Sequence, residues 1–580
     1  MLVTSYALQV ADAVTNYSAA DTIWVLVAAA LVFFMQPGFA MVEAGFTRAK
    51  NAGNIAMKNM LDMCFATVAF IMIGFGFAFG QDVGGFIGIP TLFISNFNFD
   101  SSISLGAFII FELVFAGTAA TIVSGGMAER TKFASYCIIS IIMCALIYPV
   151  VAHWVWGGGF LAQMGYIDFA GSTVVHMVGG MTALLGAYFL GPRIGKYNKD
   201  GSANAIRGHN LTIATLGVFI LWFGWFGFNG GSTLAISGYD MGELAGEIIV
   251  NTCLAAACGT ITAMCVTWIK FGHPDVTYTL NGCLAGLVGV TAGCAVVDYY
   301  GAMLIGIICG IAVVVIAEFI DKKVRIDDPV GAFAVHGSCG AIGTMLVGFL
   351  ATDSGLLYGG GVHQLGIQMI GIICIAAWVI VLMGVTFYVI KHTIGLRVSA
   401  EAEISGLDIS EHGLVNAYSG MMPDLQMMTN IPEKTDDQMS KEMENVKGVA
   451  VEDYSIPDKT ALKKVVVITR KENVDILMKK LNDLGIGGMT VTMVDGYGAQ
   501  KGQTSMYRGV KIQSKLLPKV KVEVVVGDIP IDKLISTIRE TVYTGHIGDG
   551  KIFVYSVLEA VRVRTGETGV QAVRMEKPTD

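Results

Sequence analysis

The chain has 580 residues, 54% of them hydrophobic and 14% charged, with a formal net charge of −8 and a mean hydropathy of +0.62. That composition excludes a single soluble globule, and the length excludes a single core. The acidic balance gives no footing for nucleic-acid binding.

Apolar stretches near the ~20-residue length that crosses a bilayer predict eleven helices. They lie at 21–47, 51–80, 104–127, 131–153, 172–192, 210–232, 245–270, 277–297, 301–320, 330–351 and 366–394. The 72 glycines suit close helix packing in lipid. No basic start of a secretory leader precedes the first stretch, so no cleaved presequence is expected. The 11 cysteines all fall within or beside apolar stretches, with no C-x-x-C pair, and read as small packing residues.

Only 15 of the 38 Lys and Arg residues lie in residues 1–397, and their placement orients the spans. Arg48, Lys50 and Lys58 gather at the junction of spans one and two, and Arg130 and Lys132 at that of three and four. Arg193, Lys196, Lys199 and Arg207 fall between five and six, and Lys270 follows span seven. Lys322, Lys323 and Arg325 follow span nine, and Lys391 and Arg397 follow span eleven. The opposite loops carry Asp82, Asp100, Asp168, Asp240, Glu243, Asp298 and Asp353 but no Lys or Arg. The positive-inside rule then puts the N-terminus outside the cell membrane and the C-terminal region in the cytoplasm.

Within this frame one pattern occurs twice, Asp-x-x-Gly-x-x-x-Val-His-x-x-x-Gly. Its copies are Asp168, Gly171, Val175, His176, Gly180 and Asp328, Gly331, Val335, His336, Gly340. The copies enter the membrane from opposite faces, five spans apart. Spans 1–5 and 6–10 therefore read as a 5+5 inverted repeat with an extra eleventh helix. Ionisable groups at membrane depth are costly and usually functional. His176 and His336 are expected to meet near the midplane, where neutral imidazoles both donate and accept and can pass a proton. The plainer alternative is two packing histidines, each bound to a backbone carbonyl.

Aromatic residues gather near the outer span ends. Trp156 lies in Ala-His-Trp-Val-Trp-Gly-Gly-Gly, Phe115 in span three, and Phe228 in Gly-Trp-Phe-Gly-Phe-Asn-Gly-Gly-Ser. Aromatic faces can hold a cation that is losing its water. Each ring taken singly also fits an interfacial belt or a core position.

Asp168 to Gly180, Trp-Gly-Gly-Gly at 156–159, Phe-Asn-Gly-Gly-Ser at 228–232 and Phe-Ala-Val-His-Gly at 333–337 resemble the ammonium transporter (Amt/Rhesus) family. Ala-Glu-Arg at 128–130, Gly-Leu-Arg-Val-Ser from 395, and Gly-Leu-Asp-Ile-Ser-Glu-His-Gly at 406–413 extend the resemblance over about residues 20–420. It implies a homotrimer with one pore per subunit and ammonium or ammonia as cargo. Trp156, Phe115 and Ser232 match the family's outer recruitment site. Phe115 and Phe228 match its stacked gate, His176 and His336 its twin-histidine pair, and Asp168 an acid supporting the outer site.

Residues 424–460 are polar and aperiodic and read as a linker spanning on the order of 35 Å. Beyond it, strands at 464–469, 489–494, 521–526 and 551–557 alternate with helices at 471–484 and 530–543. This is a βαββαβ order with a long polar loop at 498–517. The domain boundaries are thus 1–395 for the membrane domain, 396–423 for its C-terminal region, 424–460 for the linker and 461–580 for an α+β, ferredoxin-like regulatory domain.

Glycine-rich loops at 496–502 and 544–551 offer backbone N–H groups to phosphate, with Lys551, Arg562 and Arg564 as charge partners. An ordinary turn explains either loop alone. Together with Arg-Thr-Gly-Glu-Thr-Gly at 564–569, the two loops resemble the PII signal-transduction (GlnK-like) family over about 463–575. The resemblance implies a trimer binding ATP or ADP between subunits through Thr490, Gly498, Gly548, Asp549, Gly550, Lys551, Arg562 and Arg564. It also implies that Gln500, Lys501 and Lys519 serve 2-oxoglutarate, with Gln500 reaching the metal of Mg-ATP. Ala499 stands where an arginine is common, and Ile512 where a tyrosine is usually modified. Tyr507, Arg508 and Gly509 occupy the loop portion that family inhibitors insert into a transporter's pore mouth.

The sequence therefore reads as an ammonium transporter fused to a nucleotide-binding regulator, whose long loop plugs the inner pore mouth in one ligand state. Tethering raises the regulator's local concentration to about the mM range. The alternative is an ammonium receptor that signals through the tail to a cytoplasmic nitrogen-signalling partner. An enzyme is disfavoured, because no nucleophile–base pair or metal cluster stands out.

Overall fold

The computed structural model describes residues 17–94, 97, 99, 101–414, 417–418, 462–486, 488–496, 504–507, 510–513, 517–545 and 548–574. The chain divides into two units, Met1–His412 and Gly413–Asp580.

Among the described residues of the first unit, ten helices are long and apolar enough to cross a membrane. They are α1 (Ala19–Phe46), α2 (Ala49–Phe79), α3 (Leu105–Met127), α4 (Phe133–Gln163), α5 (Ser172–Leu190), α6 (Leu211–Thr233), α7 (Tyr239–Phe271), α9 (Tyr299–Val324), α10 (Phe333–Leu350) and α11 (His363–His392). The predicted eighth span, 277–297, is different. Its helix α8 covers Val276–Val290 only, about 22 Å at 1.5 Å per residue. Its continuation turns back, so that Phe169 and Ala170 donate their N–H groups to the carbonyls of Ala292 and Thr291. The segment before α5 therefore takes up the length that a full span would have used.

Local chemistry shapes the helices. Pro149 lies inside α4, just after a widened π turn at Met143–Ile147, which absorbs the missing N–H of proline. Gly259, Gly282, Gly286 and Gly310 line the crossings of α7, α8 and α9. A Cβ at Gly286 would lie 2.1 Å from the Ala255 carbonyl oxygen, so these helices meet backbone to backbone. Between α2 and α3 a short hairpin pairs β1 (Asp82–Val83) with β2 (Ile87–Gly88).

One end of the helix bundle is fastened by buried ions. Glu129 accepts from the Arg48 N–H at 2.6 Å and from Arg193 at 3.1 Å, and Arg193 also pairs with Asp327 at 2.8 Å. Arg130 spends its guanidinium on the carbonyls of Ala128, Gly191 and Asp327. Four inter-helix connections thus converge on charges that would be ruinous unpaired. Residues 396–412 belong to this end. Lys50 donates to the carbonyls of Glu403 and Ile404 in α12 (Ala400–Ser405). Asp408 of α13 (Leu407–His412) accepts from the N–H groups of Gly53 and Asn54. Lys58, predicted among the loop cations, instead lies inside α2 with 1% of its surface exposed and pairs with Glu43.

The second unit is a four-stranded antiparallel sheet in the order β4-β7-β3-β8, made of β3 (Lys463–Thr469), β4 (Met489–Gly496), β7 (Leu517–Val526) and β8 (Lys551–Ser556). Val465, Val467, Val520, Val522 and Val524 alternate onto one face. That face is covered by Leu477 and Leu481 of α14 (Val474–Asp483) and by Leu534 and Ile538 of α15 (Ile531–Val542). The predicted long loop is not wholly irregular. It contains an antiparallel pair, β5 (Thr504–Tyr507) and β6 (Val510–Gln513), with Tyr507 opposite Val510. The predicted linker at 424–460 lies outside the described residues.

Burial alone would raise the Glu129 carboxyl, but Arg193 and Arg48 outweigh it and hold it at about 2, below its ordinary 4.5. The folded value is the lower one. The stabilisation, roughly 3 kcal/mol, is therefore complete above pH 4.5 and drains away as pH falls toward 2. Glu129→Gln is expected to lower the neutral-pH melting temperature of the full chain in detergent. It should also remove much of the acid-dependent decline, which a melting series across that interval measures.

Candidate functional site

The doubled pattern becomes two matching helix starts. Asp168 accepts from the N–H groups of Gly171, Ser172, Thr173 and Val174 at 2.8–3.0 Å. Asp328 accepts from those of Gly331, Ala332 and Phe333 at 2.8–3.1 Å. Each carboxylate takes up the donors that a helix start leaves unsatisfied, at the end where its dipole favours negative charge. Gly171 and Gly331 hold φ of +111° and +79°, the left-handed region that glycine enters without strain. Both helices then begin as wide π turns, Ser172–Met177 and Phe333–Ser338, which carry the histidines.

The last glycine of each copy lets the two helices cross. A Cβ on Gly180 would lie 2.1 Å from the Gly337 nitrogen, and one on Gly340 would lie 2.3 Å from the Ser172 carbonyl oxygen. The two crossing points support the contact between them. Nδ1 of His336 lies 3.3 Å from Nδ1 of His176, with the rings inclined by 23°. One imidazole must donate from Nδ1 and the other accept there, so the pair shares one proton along that line.

A file of rings leads to this pair. Trp156 stands edge-on to Phe115 at 6.0 Å, and Phe115 stacks on Phe228 at 4.1 Å. Phe228 stacks on His176 at 5.3 Å, and Phe39 closes the far side at 5.9 Å from His336. Trp156 donates its indole N–H to the Asp168 carbonyl, and the Ser232 hydroxyl donates to the Phe228 carbonyl. The helix end bearing Trp156 is pinned by buried His153, whose nitrogens sit 2.9 Å from the Ala78 carbonyl and 2.9 Å from Asp82. Beyond His336, a cavity of about 30 Å³, room for a water or two, is lined by Phe39, Val335 and Glu43 among others.

The sequence reading missed Phe39 and Trp225, which stacks on His176 at 5.1 Å. It also missed the carboxyls buried inside spans, Glu43, Asp62 and Glu112. An acid within an apolar run is the signal that would have found them.

In the second unit the predicted binding residues form two groups. Thr490, Arg562 and Arg564 line a cleft of about 690 Å³ together with Lys464 and Glu523, a residue the sequence did not single out. Arg562 also pairs with Glu567 at 2.7 Å and donates to the carbonyls of Gln571 and Arg574. The other group is the Gly548–Asp549–Gly550 turn. Asp549 accepts from the N–H groups of Thr544 and Gly545, and Lys519 donates to the Gly548 carbonyl at 2.7 Å. A Cβ on Gly550, at φ +126°, would lie 2.0 Å from the Ile468 carbonyl oxygen. Lys551 follows, exposed, at the start of β8. Glu523 and Lys519 are four residues apart on β7, about 13 Å, so one copy does not merge the groups into one cleft. Gly498, Gln500, Lys501, Arg508 and Gly509 lie outside the described residues, and of Tyr507 only the strand position is described.

Gly180→Ala should lower the melting temperature of the full chain by several degrees, because backbone on both sides blocks a methyl group. Gly366→Ala, where a Cβ would meet nothing within 4 Å, should leave it unchanged. Thermal melts of the two variants in detergent check the pair.

Comparison with known proteins places the two units. Residues 23–417 match the model of the Ammonium Transporter Family, and residues 462–567 that of Nitrogen regulatory protein P-II. Ammonium transporter Amt2 of Archaeoglobus fulgidus is 45% identical over 419 residues, covering 68% of this chain and 87% of its own length. Ammonium transporter 3 of Dictyostelium discoideum is 36% identical over 407 residues, covering 68% and 93%. Among solved structures, one titled Sensor Amt Protein aligns at TM-score 0.65 and 42% identity, covering 68% of this chain and 98% of its own. Mep2 of Candida albicans aligns at 0.61 and 27%, covering 67% and 88%. The chain belongs to the ammonium transporter family, with a segment matching the nitrogen regulatory protein P-II family joined at its C-terminal side.

Proposed function

We propose that the first unit takes up ammonium through a pore that follows the ring file to the two histidines. The observation that carries this reading is the unbroken sequence Trp156, Phe115, Phe228, His176, His336 in mutual contact. Ammonium is recruited outside by the faces of Trp156 and Phe115 and by the Ser232 hydroxyl, each aromatic face contributing about 0.5–2 kcal/mol. Asp168 sets the shape of this mouth through the helix start it caps. The stacked Phe115 and Phe228 form the gate. A cation passing it loses water that apolar walls do not replace. Ammonium therefore gives up a proton, and ammonia passes beside the imidazoles. The proton moves along the Nδ1–Nδ1 contact, which makes transport electrogenic.

The basic-residue bias supports an N-terminus outside and a cytoplasmic tail. The matched Asp, His and Gly roles of α5 and α10 support a 5+5 inverted repeat, in which short α8 occupies the eighth position. We place the membrane domain at 1–395, its C-terminal region at 396–423, the linker at 424–460 and the regulatory domain at 461–580.

The regulatory domain, in this reading, binds ATP or ADP in a homotrimer. Thr490, Arg562 and Arg564 of one copy face the Gly548–Lys551 turn of the next, which accounts for the two separate groups within a copy. Gly498 belongs to the same nucleotide site. Lys519, Gln500 and Lys501 serve 2-oxoglutarate, with Gln500 at the Mg2+ of Mg-ATP. ADP favours the loop carrying Tyr507, Arg508 and Gly509 in the inner pore mouth, and ATP with 2-oxoglutarate withdraws it. The 42% identity to a protein titled Sensor Amt Protein favours a second reading, in which the first unit senses ammonium and the tail engages a cytoplasmic nitrogen-signalling partner. Flux of many ammonium molecules per subunit separates transport from sensing.

In proteoliposomes of the full chain, His176→Ala should change the ammonium-evoked current severalfold; an unchanged current would remove the relay. Arg508→Ala should make uptake insensitive to ADP, whereas the parent slows at least severalfold. If both respond alike to nucleotide, the plug is wrong.

A further inference from the structure

Beside the ring file lies a charged cluster that the mechanism above does not use. Glu43 of α1, Lys58 and Asp62 of α2 and Tyr136 of α4 are 4%, 1%, 0% and 2% exposed. Glu43 accepts from Lys58 at 3.0 Å, from the Ser124 hydroxyl at 2.8 Å and from the Asn59 amide at 2.8 Å. Asp62 meets the Tyr136 hydroxyl at 2.7 Å, and its other oxygen has no hydrogen-bond partner among the described residues. Lys58 also lies 4.9 Å from the Tyr136 ring centre, one helical turn before Asp62.

Two carboxyls and one ammonium leave a net negative charge unless the cluster holds one proton. A lone charge at this depth is expensive, so the neutral form is favoured. Glu43 is satisfied by three donors and suits the charged state. Asp62, with one partner, suits the acid. Lys58 pairs with Glu43 and lies one helical turn before Asp62, so its charge acts on both carboxyls and one proton serves the cluster.

The cluster opens onto the proposed path. Glu43 and His336 line the same small cavity on the far side of the histidine pair. Leu, Val or Ala at position 43 would fill this wall without a buried ion pair, so the charge there calls for a function.

We propose that Glu43, Lys58 and Asp62 form a one-proton store that returns the proton to ammonia after it has passed the histidines. The proposal rests on the twin-histidine reading. Ammonia arriving in the cavity takes the stored proton. The proton reaches ammonia through Glu43: an O–H bond of Asp62 breaks as one of Glu43 forms, the Glu43 O–H bond then breaks as an N–H bond forms, and ammonium leaves. The carboxylate left behind is balanced at that moment by the ammonium beside it. The imidazole pair then refills the store with the proton shed at the gate, an N–H bond of His336 breaking and the O–H bond re-forming, directly or through one water. The charge of Lys58 acts on Asp62 whenever Glu43 carries the proton.

The test uses the full chain in proteoliposomes and measures evoked charge and labelled ammonium uptake in one preparation. The readout is charge moved per ammonium delivered. Glu43→Gln should lower this ratio at least fivefold. Because that change leaves Lys58 without its carboxylate, the double variant Glu43→Gln/Lys58→Met removes both charges together and should show the same loss. Asp62→Asn, which keeps the side-chain shape, should lower the ratio at least twofold. A parental ratio in the double variant, or in Asp62→Asn if the double variant does not fold, overturns the store. His336→Ala in the same assay separates the two readings. If it alters the ratio and the cluster variants do not, only the store fails. If it leaves the ratio unaltered, the histidine relay fails, and the store with it.

Discussion

Two carboxylates hold the site in register. Asp168, buried, and Asp328, half-buried, each gather backbone N–H groups at a helix start, where unsatisfied donors are costly. Because each carboxylate fixes its turn, the following histidine emerges at a set depth and direction. Because Gly180 and Gly340 have no side chain, the two helices approach until the imidazoles touch. The ring file from Trp156 to Phe228 then ends on a defined partner. Removing either carboxylate would disturb the histidines through backbone, without touching them.

Charge inside this apolar unit is tolerated in two ways. At the basic-loop end, Arg48, Glu129, Arg193 and Asp327 neutralise one another and bind inter-helix connections together. Ion pairs of this kind are worth less in net stability than their Coulomb attraction suggests, yet breaking one is severe. They specify an arrangement more than they strengthen it. Deeper in, Glu43 of α1 and Lys58 of α2 form another buried pair, with Asp62 one helical turn beyond Lys58. The surplus carboxyl and the place of Glu43 on the His336 cavity motivate the proton-store proposal.

The second unit divides its polar residues between two places. One face of the sheet is occupied by α14 and α15. Its polar residues are left to the cleft with Thr490 and Arg562 and to the turn at Gly548. The backbone carbonyls of Gln571 and Arg574 and the carboxylate of Glu567 hold Arg562 in place. The two groups lie about 13 Å apart along β7, and this separation is the physical basis for proposing that neighbouring copies complete one another.

Much of this was legible in the sequence because it depends on local rules. Apolar runs of bilayer length gave ten spans to within a few residues, except that α4 and α7 run several residues further at one end. Short runs rich in valine, isoleucine and threonine or aromatic residues marked the four strands, and the doubled Asp–Gly–His–Gly spacing marked two equivalent helix starts. What stayed hidden depended on contacts distant in the chain. The short α8 results from the backbone of 291–292 being claimed by 169–170. Lys58 reads as a loop cation because only Glu43, fifteen positions away on another helix, makes its burial affordable. The sequence by itself determined which segments leave water and which residues begin their helices, because hydrophobicity and capping act within a few residues. Only the tertiary structure decided that two histidines 160 positions apart meet at 3.3 Å, because that distance is set by the packing of whole helices against one another.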